Sequence, residues 1–262
     1  MRLKSFALAG LALAIGTTTA VLAQRGPGPG PAPFGAPKSH VAGQFDYYAL
    51  VLSWSPTHCA TATPGRDDMQ CRPRNNKRYS FVLHGLWPQY ERGFPESCQT
   101  RERPFVPDAL ITRMLDIMPA RGLVIHEYRK HGTCSGLSPE GYFETSRKLF
   151  SKVKIPDRFD EPAAAQFVSP AELIAAFVAA NPGLKTESIA VQCSRPGDRL
   201  KEVRICFTRD GAYRACGNNE NQSRLCSAAR MYVPPVRPGA PGAVPNPKAP
   251  NTPPPLPGDR KI

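Results

Sequence analysis

Leu200-Lys201-Glu202-Val203-Arg204-Ile205-Cys206-Phe207-Thr208, followed by Arg209-Asp210-Gly211-Ala212 and Tyr213-Arg214-Ala215-Cys216, reads as a strand, a tight turn and a short return strand. Asp-Gly supplies the backbone freedom that a hairpin turn needs, so the two arms run antiparallel. Upstream, Phe45 to Trp54, Tyr79 to His84 and Ser188 to Ser194 are rich in aromatic and branched side chains and are expected to be strands. Gly85 and Pro88 are expected to stop the second of these. Helices fall between them. Ser169-Pro170-Ala171-Glu172 has the form of a capping box, and Asn181-Pro182-Gly183 ends the helix it opens. Ser138-Pro139 opens another, and Pro107 to Met118 is amphipathic with Leu110, Ile111, Met114 and Leu115 on one face. Strands and helices mix without a regular β-α-β period. The expected fold is therefore α+β, a central antiparallel sheet flanked by helices.

The two ends of the 262-residue chain do not look like parts of that domain. Arg2 and Lys4 precede the apolar run Phe6 to Ile15, and Val21-Leu22-Ala23 offers small residues for cleavage. Residues 1–23 are thus a signal peptide, with cleavage expected after Ala23 and the mature protein secreted or periplasmic. A membrane anchor fits less well, because Gly10, Gly16 and Thr17 to Thr19 interrupt the run short of the ~20 apolar residues of a span. Residues 24–40 form a Gly/Pro-rich leader, and residues 233–262, with eleven prolines, an extended or disordered tail. Between them, 41–232 is expected to be one domain.

Eight cysteines in an exported chain imply four disulfides rather than a zinc cage, since no Cys-x₂₋₄-Cys pair is present. The formal charge of +13 falls to +11 when Arg2 and Lys4 leave, which suits a polyanionic partner or simply a solvated surface. Arg72, Arg74, Lys77 and Arg78 share that ambiguity.

Chemistry concentrates in His126-Glu127-Tyr128-Arg129-Lys130-His131-Gly132-Thr133-Cys134. As an α-helix, this segment places His126, Glu127, Lys130 and His131 within an arc of about 140°. The plain alternative is a surface stripe in which Glu127 answers Lys130 or His131. A helical zinc-hydrolase motif fails because position 130, where His-Glu-x-x-His needs its second histidine, is lysine. A second segment, Phe81-Val82-Leu83-His84-Gly85-Leu86-Trp87-Pro88-Gln89, places His84 at a strand end beside an indole and an amide.

Together these segments resemble the two active-site motifs of the T2-type ribonucleases, secreted endoribonucleases with little base preference. His-Gly-Leu-Trp-Pro matches the first. His126 to Cys134 matches the second, except that Tyr128 stands where tryptophan is usual. The resemblance extends over roughly residues 41 to 232. It implies single-stranded RNA as substrate, cleaved through a 2′,3′-cyclic phosphate to a 3′-phosphate end without metal or cofactor. His131 is then the base and His84 the acid of the first step, Glu127 is a further catalytic residue, and Lys130 and His126 contact the phosphate. Trp87 and Gln89 are the expected base-binding residues, with Phe94 a weaker candidate. The implied disulfides are Cys59–Cys71, Cys98–Cys134, Cys193–Cys226 and Cys206–Cys216.

The chemistry also stands without the resemblance. RNA carries its own nucleophile, so cleavage needs a base for the 2′-hydroxyl, an acid for the departing 5′-oxygen, and positive charge for the crowded phosphorus. Histidine suits both proton roles. DNA, lacking the hydroxyl, is not an expected substrate, and a monomer without membrane association is expected. The competing readings are a non-catalytic RNA- or protein-binding module and a secreted metallohydrolase.

Overall fold

The structure, a computed structural model, describes residues 40–63, 68–73, 77–195 and 198–236, which fall in one compact unit. The expected signal peptide, the leader up to residue 39 and the tail from 237 lie outside the described residues. The strands are β1 (Tyr47–Trp54), β2 (Phe81–Gln89), β3 (Gln166–Val168), β4 (Ile189–Cys193), β5 (Leu200–Phe207) and β6 (Met231–Val233). The helices are α1 (Ser55–Thr61), α2 (Asp68–Cys71), α3 (Asp108–Met114), α4 (Arg121–Glu127), α5 (Thr133–Ser135), α6 (Pro139–Lys152), α7 (Pro170–Ala180) and α8 (Gln222–Leu225). A π-helical turn, Tyr128–Gly132, joins α4 to α5 without a break. No described helix is long and apolar enough to cross a membrane.

The α+β expectation holds. Four strands pair antiparallel in the order β2-β1-β5-β4, and β3 pairs with β6 in a second small sheet. β1 is central and buried on both faces. Tyr48, Leu50, Leu52 and Trp54 join the main core, with Leu83 and Leu86 of β2, Val203 and Ile205 of β5, and side chains of α3, α6 and α7. Fully burying a leucine such as Leu50 or Leu52 contributes about 1.5–3 kcal/mol. Tyr47, Ala49 and Val51 form a smaller cluster on the opposite face with Cys206, and Trp87 packs against it.

Local signals placed several elements correctly. Ser169 caps α7, its hydroxyl accepting from the Glu172 backbone N–H while the Glu172 carboxylate accepts from the Ser169 N–H. Ser138 caps α6. All four disulfides pair as the resemblance implied.

Four expectations need correction. First, β2 does not stop at His84 but continues through Gly85 and Pro88 to Gln89. It is an edge strand, where proline is tolerated because alternate N–H groups face away from the sheet. Second, the helix expected over Pro107 to Met118 ends at Met114. The following turn diverts the Ile117 carbonyl to the Leu83 N–H of β2 (2.9 Å), a bond that a continuing helix would not offer. Third, the return strand after Gly211, which has φ +90°, shrinks to one bridge between Phe207 and Tyr213, braced by Cys206–Cys216. Fourth, the domain extends to Val236, four residues into the expected tail. Val233 and Val236 are buried, and the Pro234 carbonyl accepts from the Trp54 indole N–H. Helix α1 and the β3–β6 pair were not expected at all.

Candidate active site

The site begins with an irregularity in β2. Gly85 pairs with Val51 and Leu83 with Leu52, so His84 is an extra residue with no partner on β1, a β-bulge. In a regular strand, His84 and Trp87, three positions apart, would point to opposite faces. The bulge restores them to one face. Leu86 then enters the main core while Trp87 packs on the small cluster across the sheet. The Tyr142 hydroxyl of α6 pins the strand just past the bulge, donating to the Leu86 carbonyl (2.9 Å) and accepting from its N–H (3.3 Å).

The helical segment 121–135 packs against this edge strand. Its π-turn holds Lys130 and His131, and such turns recur at functional sites because they re-aim side chains. The arc expected from α-helical geometry is therefore not the one observed. Gly85 allows the close approach to β2, and Gly132 leaves room for the Tyr128 ring within the segment. A Cβ on Gly85 would stand 1.9 Å from Glu127 Oε2, and one on Gly132 would stand 2.4 Å from Tyr128 Cδ2. Cys98–Cys134 fastens the far end of the segment, and the Lys130 carbonyl accepts from the Ser97 N–H (2.7 Å).

Trp87 organises three expected site residues. Its ring stacks on His131 (centroids 4.9 Å apart, planes at 20°) and meets His84 edge-on at 5.3 Å. Its indole N–H donates to Glu127 Oε2 (2.8 Å). Glu127 Oε1 lies 3.5 Å from His84 Nε2. The Glu127 side chain is 1% exposed and does not pair with Lys130, whose ammonium lies 3.4 Å from Glu96 on the outer side. The surface-stripe reading of this helix is thereby overturned. His126 is exposed, and its charge reaches His131.

Gln89 is not brought to this cleft. It is 2% exposed, donating to the Pro88 carbonyl and accepting from Asn219. Phe94 is exposed. Of the basic stretch, Arg74 lies outside the described residues, and Lys77 donates to the Asp116 carbonyl.

Two residues of β5 complete the site and were not foreseen. Glu202 Oε1 accepts a hydrogen bond from His84 Nδ1 (3.1 Å), and Arg204 lies 3.3 Å from Glu202 Oε2. Arg204 also donates to Gln192 (2.5 Å), lies 3.7 Å from Glu220, and stands over the Trp87 ring at 5.0 Å. Glu220 in turn accepts from the buried Tyr47 hydroxyl. The signal was available in the sequence: a carboxylate and a guanidinium two apart on a strand share one face.

These surroundings drive the two histidines apart in charge. Burial depresses His131, and the charges of Lys130, His84, His126 and Arg204 add to it, taking its pKa down to about 3. Its Nδ1 is buried with no hydrogen-bond partner among the described residues, so nothing there favours an imidazolium. Burial also opposes charge on His84, but the Glu202 hydrogen bond and the carboxylates of Glu127 and Glu202 outweigh it and raise the pKa. Glu127 is pushed up to about 7, chiefly by burial, although His84 and the Trp87 N–H pull the other way. Burial would raise Glu202 as well, yet His84, Arg204 and Lys201 hold it at about 2. Near neutral pH the cleft thus presents one neutral imidazole, a second imidazole biased towards its charged form, and a carboxyl group close to its midpoint.

The sequence profile of the Ribonuclease T2 family matches residues 45–216. A ribonuclease of Aeromonas hydrophila is 38% identical over 196 residues, an alignment covering 70% of this chain and 81% of that protein. A probable ribonuclease of Haemophilus influenzae is 34% identical over 125 residues, covering 43% and 45%. Among solved structures, an RNase-related protein from Calystegia sepium superposes with a TM-score of 0.56 at 21% identity, covering 74% of this chain and 98% of that one. That last likeness concerns the fold.

Proposed function

The chain belongs to the ribonuclease T2 family, and from that membership and the cleft we propose a secreted or periplasmic, metal-independent endoribonuclease acting on single-stranded RNA. The observation that carries the chemistry is the placement of His84 and His131 against one indole ring, in surroundings that favour charge on the first and oppose it on the second. In the first step neutral His131 takes the 2′-hydroxyl proton as the oxygen attacks phosphorus. Cationic His84 gives its Nε2 proton to the 5′-oxygen as the P–O bond breaks. The product is a 2′,3′-cyclic phosphate, and each histidine is left in its partner's former state. The second step runs in reverse: His84 takes a proton from water, the hydroxide oxygen bonds to phosphorus, and His131 returns a proton to the 2′-oxygen, leaving a 3′-phosphate.

Glu127, with a pKa near 7 and its Oε1 beside His84 Nε2, has two uses. Protonated, it donates to a non-bridging phosphate oxygen; ionised, it supports the His84 cation. Lys130 and His126 sit on the same helical segment, Lys130 adding positive charge for the crowded phosphorus and His126 a contact that positions the phosphate. Trp87 holds His131, Glu127 and Arg204 in register, and its part-exposed indole stands at the cleft as the aromatic group nearest an incoming base. Little base preference is proposed along with the family resemblance, recognition resting on stacking and edge contacts to unpaired nucleotides. The expected signal peptide and the four disulfides suit an oxidising compartment.

The test is incubation of the purified protein with single-stranded RNA and matched DNA, with and without EDTA. Cyclic-phosphate products from RNA alone, unaffected by chelator, are expected. No RNA cleavage between about pH 4 and 8, a range bracketing the ordinary histidine pKa, overturns the proposal. Loss of activity with EDTA would turn it into a metallohydrolase.

A further inference from the structure

We propose that Glu202 is a positioning residue for the proton transfers of His84, an inference that rests on the ribonuclease reading above. The carboxylate divides its two oxygens between His84 and Arg204, with the Lys201 ammonium 3.9 Å from the oxygen that faces His84. Oε1 accepts from His84 Nδ1 at 3.1 Å, and Oε2 faces the Arg204 guanidinium at 3.3 Å. Arg204 is itself held by Gln192 and Glu220, and Glu202 is 2% exposed, so the acceptor is fixed before substrate arrives. Glu202 stands on β5 and His84 on the bulge of β2, with β1 between them. A hydrogen bond across an intervening strand is what the re-aimed bulge side chain makes possible.

The consequence is a fixed tautomer. With Nδ1–H committed to Glu202, Nε2 is the nitrogen that exchanges protons in both steps. In the first it carries the proton given to the 5′-oxygen. Once neutral, His84 keeps its remaining hydrogen on Nδ1, so the Nε2 lone pair is the one that takes a proton from water in the second. The groups facing His84 are Glu202 and Lys201 from β5, Glu127 from α4, the Trp87 ring from its own strand, and His131 of the π-turn, whose charge interacts with it. Glu127 lies at the Nε2 end, 3.5 Å away, and Nε2 is the nitrogen the proposed reaction uses. Glu202 therefore holds the ring at the end away from the reaction.

The experiment compares wild type, Glu202→Gln and Glu202→Asp on two substrates. One is a dinucleoside phosphate, whose leaving oxygen needs a proton. The other is a uridine 3′-(4-nitrophenyl phosphate), whose leaving group departs without one. For Glu202→Gln, kcat on the dinucleotide is expected to fall about 10- to 100-fold, part of the ~10²–10⁴-fold that a general acid supplies, with KM little changed. The alkaline limb of its kcat profile moves to lower pH, because losing the carboxylate lowers the His84 pKa. On the activated substrate the loss shrinks to less than about threefold. Glu202→Asp keeps the charge on a shorter stem and recovers part of the dinucleotide rate. Should Glu202→Gln not fold, Glu202→Asp shows the same contrast between substrates on a smaller scale.

Equal losses on both substrates, or a dinucleotide rate within about threefold of wild type with an unmoved alkaline limb, overturn the role of Glu202. A wild-type protein that leaves both substrates intact overturns the ribonuclease reading itself, which separates the two failures.

Discussion

Replacing Gly85 by alanine is expected to disable the protein without unfolding it. The position has ordinary backbone angles, so alanine adds no strain of its own. What it adds is a Cβ that would fall 1.9 Å from Glu127 Oε2 and 2.7 Å from both Glu127 Cδ and Trp87 Nε1. Ordinary contact for such a pair begins near 3.4 Å, so the carboxylate must retreat by 3.4 − 1.9 = 1.5 Å. That retreat disrupts the 2.8 Å hydrogen bond from Trp87 and moves the carboxyl away from His84. A misplacement of about 1 Å at a reacting group costs roughly 10²-fold in rate, which corresponds to about 2.7 kcal/mol of transition-state stabilisation. The assay is kcat/KM on a dinucleoside phosphate, with thermal unfolding followed in parallel. A variant within about threefold of wild type would refute the placement of Glu127 against the Gly85 backbone.

Trp87→Phe keeps a ring against His131 but removes the indole donor to Glu127, so the acidic form of Glu127 gains further; kcat is expected to drop about tenfold, the cost of one charge-assisted hydrogen bond. An unchanged kcat would show that this bond is idle. Replacing both Cys98 and Cys134 by serine opens a loop of sequence separation 36. Chain entropy puts that loss at about 3–4 kcal/mol by urea unfolding, with activity falling further because the π-turn loses its anchor. The pH dependence of stability has a definite sign. His131 holds its proton less well folded (pKa about 3) than unfolded (about 6.5), so it stabilises fully above 6.5 and its contribution drains as pH falls towards 3. Between those limits the unfolded chain binds up to one more proton, so a neutral His131→Asn variant should lose as much as ~1.4 kcal/mol per pH unit of the wild-type slope. Equal slopes in the two proteins would contradict the buried neutral imidazole.

Much of this was legible in the residues, and what was missed has physical causes. Caps, turns and apolar alternation are local, so the termini of α6 and α7, the β5 strand and the Asp210-Gly211 turn could be placed before any tertiary information. The bulge at His84 could not, because it exists only in the pairing with β1. Without it, Gly85 and Pro88 look like strand breakers rather than members of an edge strand. The π-turn likewise depends on what packs on it, and α-helical spacing was the only rule available for residues 126 to 134. His84, Glu127 and His131 stood out by composition and are brought together around Trp87. Glu202 and Arg204 are charged residues of a non-edge strand, and reading which face of β5 they share would have flagged them. Gln89 reads as an exposed amide after a turn, yet the continuing strand carries it inside.

The central claim is that the fold biases His84 towards its charged form and keeps His131 neutral before substrate arrives. NMR titration of the imidazole C2 protons, assigned by single replacement of each of the five histidines, measures it directly. The account predicts that His84 titrates above about 6.5 and that His131 stays neutral down to about pH 4. Both histidines titrating together near 6.5, or His131 above His84, would contradict it.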